Sequence, residues 1–128
     1  MNKALRAVDY LNHLLEAIER IDRYTVDMDE SAFLLSELVQ DAVIRNIEIL
    51  GEASNNVQRV APDFVAQHGD IPWQVMYTMR NRVAHAYHKV DLEIVWKTIR
   101  NDLPALHRRV QAALAALPGD RPAAGSLS

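Results

Sequence analysis

Residues 29–60, DESAFLLSELVQDAVIRNIEILGEASNNVQRV, contain the longest uninterrupted helical pattern in the chain. The segment has no proline, Asp29 is a suitable N-cap, and Glu30 would lie favourably in the first turn. We therefore predict one long helix from Asp29 to about Val60. Its apolar residues cover more than one face, as expected for a central helix that contacts several helices or a second subunit: Phe33, Leu34, Leu35, Leu38, Val39, Val43, Ile44, Ile47, Ile49 and Leu50.

Gly51 lies inside this predicted helix, where glycine costs ~1 kcal/mol relative to alanine. Either the helix breaks there, or another backbone or a ligand comes close. We favour a close helix crossing.

Amphipathic patterns flank the central segment. Apolar residues recur at three- and four-residue steps from Leu5 to Ile21, which predicts a first helix that ends near Tyr24. After Val60, a short helical turn runs to Gly69, and Pro72 can be the first residue of a further helix. Asp91 can cap the last helix, which Pro104 should kink or restart near Asp102.

No strand-like alternation and no internal repeat is evident, so we predict an all-α fold, an antiparallel bundle of about four to five helices. Residues 1–117 would form a single domain. Residues 118–128, PGDRPAAGSLS, are rich in small residues and turn formers and are predicted to be a disordered tail.

Composition limits the chemistry and the partners. The net charge is -3, so a polyanion would have to be bound by a local patch, and the absence of cysteine excludes disulfides, thiolate metal sites and cysteine nucleophiles. Charges interrupt the N-terminal residues every few positions, which argues against a signal peptide or membrane span. We expect a soluble cytoplasmic protein.

The local patch is residues 80–91, RNRVAHAYHKVD, and no carboxylate occurs between Asp70 and Asp91. Guanidinium and ammonium groups in this segment, with Arg82 and Lys89 among them, favour phosphate. On a helix, two neighbouring stripes would form one polar face: Asn81, His85 and His88 on the first, and Arg80 and Tyr87 on the second.

Such a face is suited to RNA cleavage, because the 2′-hydroxyl of RNA is a built-in nucleophile. His85 can transfer a proton to or from the reacting oxygens, and Arg80 can stabilise charge on the phosphate, with no metal or other cofactor required. One histidine performs only one of these tasks at a time. A symmetric homodimer with the motif at its twofold axis would bring two copies together.

Simpler interpretations remain open. A basic helix end often only complements the helix dipole, and Tyr87 alone is more often a packed aromatic residue. His85 and His88 have a spacing that two metal ligands can have, but no well-spaced third ligand is evident in the same segment. The remaining histidines are interpreted as surface or structural residues: His13, His68 and His107.

The motif of Arg80, Asn81, His85 and Tyr87 resembles the R-x4-H-x-Y signature of the HepT-like ribonuclease toxins, a branch of the α-helical HEPN superfamily. Further segments match that family in order and approximate spacing: RNIEILGEA at 45–53, IPW at 71–73, VD at 90–91, the tryptophan at 96 and DLP at 102–104. The similarity extends from the first helix to about Leu117.

The resemblance implies a HEPN-type bundle that acts as a metal-independent endoribonuclease, with transfer RNA as the expected substrate and messenger RNA as an alternative. Arg80 and His85 would be catalytic, with Asn81 in support. The basic character of the segment separately predicts RNA contacts from Arg82, His88 and Lys89. Tyr87 would be the tyrosine that a minimal nucleotidyltransferase antitoxin, similar to MntA, modifies with AMP. Homodimers are expected.

Glu52 and Arg45 are weaker candidates for residues that face the same cleft. The alternative function is a non-catalytic RNA- or nucleotide-binding module that partners a nucleotidyltransferase, or mainly a scaffold for that enzyme.

Overall fold

The computed structural model describes the backbone of residues 3–83 and 89–117, and the side chains of residues 6–83 and 91–117. Within these ranges the chain forms seven α-helices and no strand, which confirms the all-α fold class. The helices are α1 (Lys3–Thr25), α2 (Glu30–Leu35), α3 (Glu37–Val60), α4 (Pro62–Gln67), α5 (Trp73–Val83), α6 (Lys89–Asn101) and α7 (Leu103–Ala115). The predicted tail at 118–128 lies outside the described residues.

The core is built around α1 and α3, which form the most extensive helix pair. Their buried apolar residues recur at helical spacing, so that each helix turns one face toward the other. Removing such side chains from water is the main stabilising contribution, roughly 1.5–3 kcal/mol for each large one. The buried residues are Leu11, Leu14, Ile18 and Ile21 of α1 and Val43, Ile47, Leu50 and Val57 of α3.

The connection between α1 and α2 follows the sequence prediction. Helix α1 ends at Thr25, next to the predicted end at Tyr24. Asp29 is extended and its carboxylate accepts a hydrogen bond from the backbone N–H of Ala32 at 2.9 Å. The predicted N-cap at Asp29 is therefore confirmed.

The prediction of a single long helix over residues 29–60 is wrong, because the helix is interrupted at Ser36. Ser36 has an extended backbone (φ -111°, ψ 96°), and its hydroxyl accepts a hydrogen bond from Val39 N–H at 3.2 Å, so it caps α3. The amide of buried Gln40 donates to the Phe33 carbonyl at 2.9 Å and spans the break. Leu35 and Leu38 are 87% and 81% exposed, so the apolar pattern overstated the buried surface.

The later helix boundaries correct two predictions and confirm one. Pro72 precedes α5 rather than opening it, and its carbonyl accepts a hydrogen bond from Met76 N–H at 3.0 Å. Asp91 lies in the first turn of α6, which begins at Lys89, so it does not cap that helix. The predicted restart at Pro104 is confirmed, since α7 begins at Leu103.

The chain thus has more helices than the predicted four to five. The additional ones come from the break at Ser36, the restart after Asp102 and the short α4. No helix in the described part of the chain has the length and apolar character required to cross a lipid bilayer.

Candidate functional site

Gly51 marks the point where α3 and α5 come closest. A Cβ atom at this position would lie 2.8 Å from the Cβ of Arg80 and 2.9 Å from the carbonyl oxygen of Met76. Both distances are too short for any side chain, so glycine is required by the approach of α5. The predicted close helix crossing is confirmed, and it lies directly at Arg80.

A buried hydrogen bond fixes the beginning of α5 to the same helix. The Ser54 hydroxyl donates to the Trp73 carbonyl at 2.7 Å, and the Trp73 indole N–H donates to the His68 carbonyl at 3.0 Å. Ser54 follows Gly51 on α3, whereas Trp73 precedes Arg80 on α5, so the two helices run antiparallel. The close approach at Gly51 and the Ser54–Trp73 hydrogen bond therefore fix the position of Arg80 relative to α3.

Arg80 forms an ion pair with Glu52, the residue after Gly51. The Arg80 Nε atom lies 3.4 Å from Glu52 Oε1, and the two side chains are 41% and 52% exposed. An ion pair with this exposure contributes only ~0–1 kcal/mol to stability. Its effect is to hold one edge of the guanidinium, while the terminal nitrogens have no ionic partner among the described residues and can act as donors.

The Arg80 and Glu52 side chains lie in a polar cleft of about 380 Å³ between α1, α3 and α5. Both residues given weaker roles above, Glu52 and Arg45, line it. The full lining is His13 of α1, Arg45, Glu48, Ile49, Glu52, Ala53 and Asn56 of α3, and Arg80 of α5. The lining contains both acidic and basic side chains, so the cleft can bind both phosphate oxygens and hydrogen-bond donors.

His13 is a residue whose position the sequence did not reveal. We interpreted it as an isolated surface or structural histidine; it is exposed, and it lines the same cleft as Arg45 and Arg80. His68 and His107 fit the structural interpretation. The His68 ring packs on Phe64 with centroids 4.5 Å apart, and His107 Nε2 lies 2.8 Å from Glu19 Oε2.

Of the predicted site residues that the structure describes, Arg82 lies apart from Arg80. Asn81 is exposed beside Arg80 on α5, but Arg82 lines a different cavity of about 220 Å³, together with Asp91 and residues of α6. Two consecutive steps of ~100° place Arg82 on the other side of α5 from Arg80. His85, Tyr87 and His88 lie outside the described residues, as does the side chain of Lys89.

Among the side chains that the structure describes, no group of three or more histidine, cysteine, aspartate or glutamate residues is arranged to hold a metal ion. The pair His85 and His88 falls outside these residues, so the sequence argument about it stands as a prediction.

Comparisons with known proteins show similarity over most of the chain. The family model described as ribonuclease HepT-like matches residues 14–113. A protein of Thermococcus cleftensis named "Probable ribonuclease HepT" is 44% identical over 98 residues, which are 77% of this chain and 86% of that protein.

Two proteins of Methanocaldococcus jannaschii are also similar. One, named as a gamma-glutamylcyclotransferase and candidate RNase, is 42% identical over 101 residues, which are 79% of this chain and only 44% of that protein. The other, named as a candidate RNase, is 31% identical over 80% of this chain and 91% of its own length. No solved structure matches the chain significantly. The chain belongs to the HepT-like ribonuclease family.

Proposed function

We propose that this protein is a metal-independent endoribonuclease toxin that cleaves RNA, with transfer RNA as the expected substrate. The observation that carries the proposal is the placement of Arg80, whose guanidinium is held at one edge in a polar cleft within a HepT-like ribonuclease fold. The described residues supply the phosphate-binding part of the site. The sequence supplies the proton-transfer group, His85, five residues further on.

In this mechanism Arg80 binds the oxygens of the scissile phosphate through its terminal nitrogens. The RNA 2′-hydroxyl attacks phosphorus, its proton passes to a base, and the 5′-oxygen leaves with a proton from an acid. Arg80 stabilises the negative charge that accumulates on the phosphorus oxygens. Asn81 adds a polar side chain beside it. A span of five residues limits the separation of Arg80 and His85 to about 18 Å, even in a fully extended chain.

We propose a homodimer because one His85 cannot be base and acid in the same step. A symmetric pair of chains would supply two histidines and two arginines around a shared cleft. The additional basic residues Arg82, His88 and Lys89 would bind flanking phosphates. Since Arg82 lies on the opposite side of α5 from Arg80, its phosphate would be distant from the one that Arg80 binds.

Tyr87 is the proposed site of control. A nucleotidyltransferase antitoxin would transfer AMP from ATP to its hydroxyl and release pyrophosphate. The attached adenylate carries a negatively charged phosphodiester two residues from His85, where it would occupy cationic side chains and repel RNA. The proposed setting for both proteins is the cytoplasm.

The test is RNA cleavage by protein produced without any nucleotidyltransferase antitoxin, in the presence of EDTA. We expect cleavage by the wild type and by His107→Ala, a matched histidine variant outside the cleft, but none by His85→Ala. Co-production with the partner should add the mass of an adenylate to the wild type and to Tyr24→Phe, but not to Tyr87→Phe.

A different result would identify the alternative function. If unmodified, dimeric protein binds RNA tightly and leaves it intact, the site is a binding surface and His85 is not a proton-transfer residue. If the protein has neither activity and Arg80→Ala changes nothing in cells, it is a scaffold for the nucleotidyltransferase.

A further inference from the structure

The cleft beside Arg80 is lined by more charged and polar side chains than the binding of one phosphate requires. Arg80 and Glu52 interact with each other, but Glu48, one helical turn before Glu52 on α3, lines the same cleft and takes no part in the ion pairs among the described residues. Glu48 is half-buried. Its carboxylate is therefore a hydrogen-bond acceptor in the lining of the cleft that has no ionic partner among the described residues.

Two planar side chains line the same cleft as this carboxylate. They are Arg45, one turn before Glu48 on α3, and His13 of α1. The His13 ring makes an edge contact with the Tyr10 ring, with centroids 6.3 Å apart, which orients it. Imidazole rings and guanidinium planes are surfaces on which unpaired RNA bases stack. The cleft volume of about 380 Å³ is within the usual range of small-ligand sites.

The acceptor character of Glu48 selects among the bases. An ionised carboxylate only accepts hydrogen bonds. Guanine presents two adjacent donors on its Watson–Crick edge, the N1–H and the 2-amino group, which match the two carboxylate oxygens. Adenine and cytosine present an amino group beside a ring nitrogen that repels the carboxylate, and uracil presents one N–H between two carbonyl oxygens.

We propose that this cleft is a base subsite for guanine, in which Glu48 accepts from the Watson–Crick edge and His13 and Arg45 provide stacking surfaces. The proposal rests on the proposed function, because Arg80 then binds the phosphate attached to the same nucleotide. Glu48 is a specificity-determining residue in this scheme. It makes the enzyme prefer cleavage next to an unpaired guanosine.

Equilibrium binding of nucleoside 3′-monophosphates to the unmodified full-length protein tests the subsite without any cleavage. We expect 3′-GMP to bind about tenfold more tightly than 3′-AMP, 3′-CMP or 3′-UMP, since a bidentate base contact provides ~1–3 kcal/mol of discrimination. Glu48→Gln should weaken 3′-GMP binding and remove this preference, and the affinities for 3′-AMP and 3′-CMP should not fall, because an amide does not repel their ring nitrogens. The matched control is Glu93→Gln, which changes a half-buried glutamate of α6 that does not line the cleft.

Two further variants separate the parts of the nucleotide. Arg80→Ala should weaken all four nucleotides equally because it removes a phosphate contact, and His13→Ala should weaken all four because it removes a stacking surface. Equal binding of the four nucleotides to the wild type would overturn the proposal. A guanine preference that survives Glu48→Gln would overturn it as well.

Cleavage of single-stranded oligonucleotides that contain one guanosine distinguishes this inference from the proposed function. Selective 3′-GMP binding by a protein that cleaves no RNA would support the subsite and refute the ribonuclease. Efficient cleavage with no preference for guanosine would support the ribonuclease and refute the subsite.

Discussion

Two arginines in this fold have opposite surroundings. Arg100 of α6 donates to the carbonyls of Thr25, at 3.0 Å, and Met28, and its guanidinium carbon lies 4.4 Å from the centroid of the Trp96 ring. Among the described residues, Arg80 of α5 has one ionic contact, with Glu52 at 3.4 Å. The first side chain joins α6 to the α1–α2 turn, whereas the second leaves most of its donors open to a cleft.

The two arginines differ in the contacts that each guanidinium would lose if it bound a phosphate. The contacts of Arg100 with two backbone carbonyls and an aromatic ring would be lost only if the α1–α2 turn moved, so they contribute to stability. The carboxylate beside Arg80 is exposed and can share its partner with a phosphate. We therefore expect removal of Arg100 to affect folding and removal of Arg80 to affect activity, and four substitutions test that division.

The largest effect is expected for Arg80→Ala. RNA cleavage should fall ~10²–10³-fold, as when one preorganised donor to a transition-state oxyanion is removed. The free energy of unfolding should change by less than ~0.5 kcal/mol, because alanine keeps the Cβ that packs at Gly51. Cleavage rates and urea unfolding of the same preparation measure both. Unchanged cleavage would contradict the catalytic role.

Gly51→Ala should combine the two kinds of effect. Its neighbours are the Met76 carbonyl and the first side-chain atom of Arg80, which cannot move aside unless α5 shifts. Overpacking costs ~1–3 kcal/mol, against a gain of ~1 kcal/mol from helix propensity, so we expect a net loss of ~0–2 kcal/mol and reduced cleavage.

The matched control for this change is Gly69→Ala, where the nearest atom to a new Cβ is 4.0 Å away. Urea unfolding should show a change within ~0.5 kcal/mol for that variant. A stabilised Gly51→Ala would mean that the two helices are not in close contact in solution.

Arg100→Ala should lower the free energy of unfolding by about 1 kcal/mol, since it removes two hydrogen bonds and a cation–π contact at a partly exposed position. Cleavage at a temperature well below the unfolding transition should be unaffected. Arg109→Ala, an exposed arginine on α7, provides the control in thermal unfolding. If folded Arg100→Ala lost cleavage, Arg100 would serve activity as well as folding, and the proposed division between the two arginines would be wrong.

The smallest effect is expected for Glu52→Gln. Because both partners are exposed, the ion pair should contribute less than ~0.5 kcal/mol to stability, and cleavage should fall only about two- to fivefold as Arg80 becomes less well positioned. Glu16→Gln, which removes the pair with Arg20 at 3.7 Å on α1, should leave cleavage unchanged. A hundredfold loss in Glu52→Gln would show that this carboxylate has a direct role in catalysis.

Local sequence signals predicted much of this fold. Asp29 caps a helix, Pro104 restarts one, and Gly51 marks a helix crossing, because each effect depends on the residue itself and its near neighbours. The break at Ser36 was missed because apolar residues continue through it. A serine followed by an acidic residue, Glu37, was the available signal for a new helix start.

The candidate site was less accessible from sequence. Arg80 was identified by its motif, but its pairing with Glu52 depends on the angle and separation of α3 and α5. His13 gave no signal, since nothing near it in the chain indicates that α1 borders the cleft. Side chains that meet through tertiary packing cannot be found from local patterns in one sequence.

The order in which the cleft residues occur along the chain has a consequence for protein synthesis. Its α1 and α3 contributions are complete at Asn56, whereas Arg80 and the histidine motif follow much later. Under the proposed mechanism, a nascent chain, or one released early from a stalled ribosome, would carry a cleft wall without catalytic groups. The cell would therefore meet an active toxin only after most of the chain has been translated.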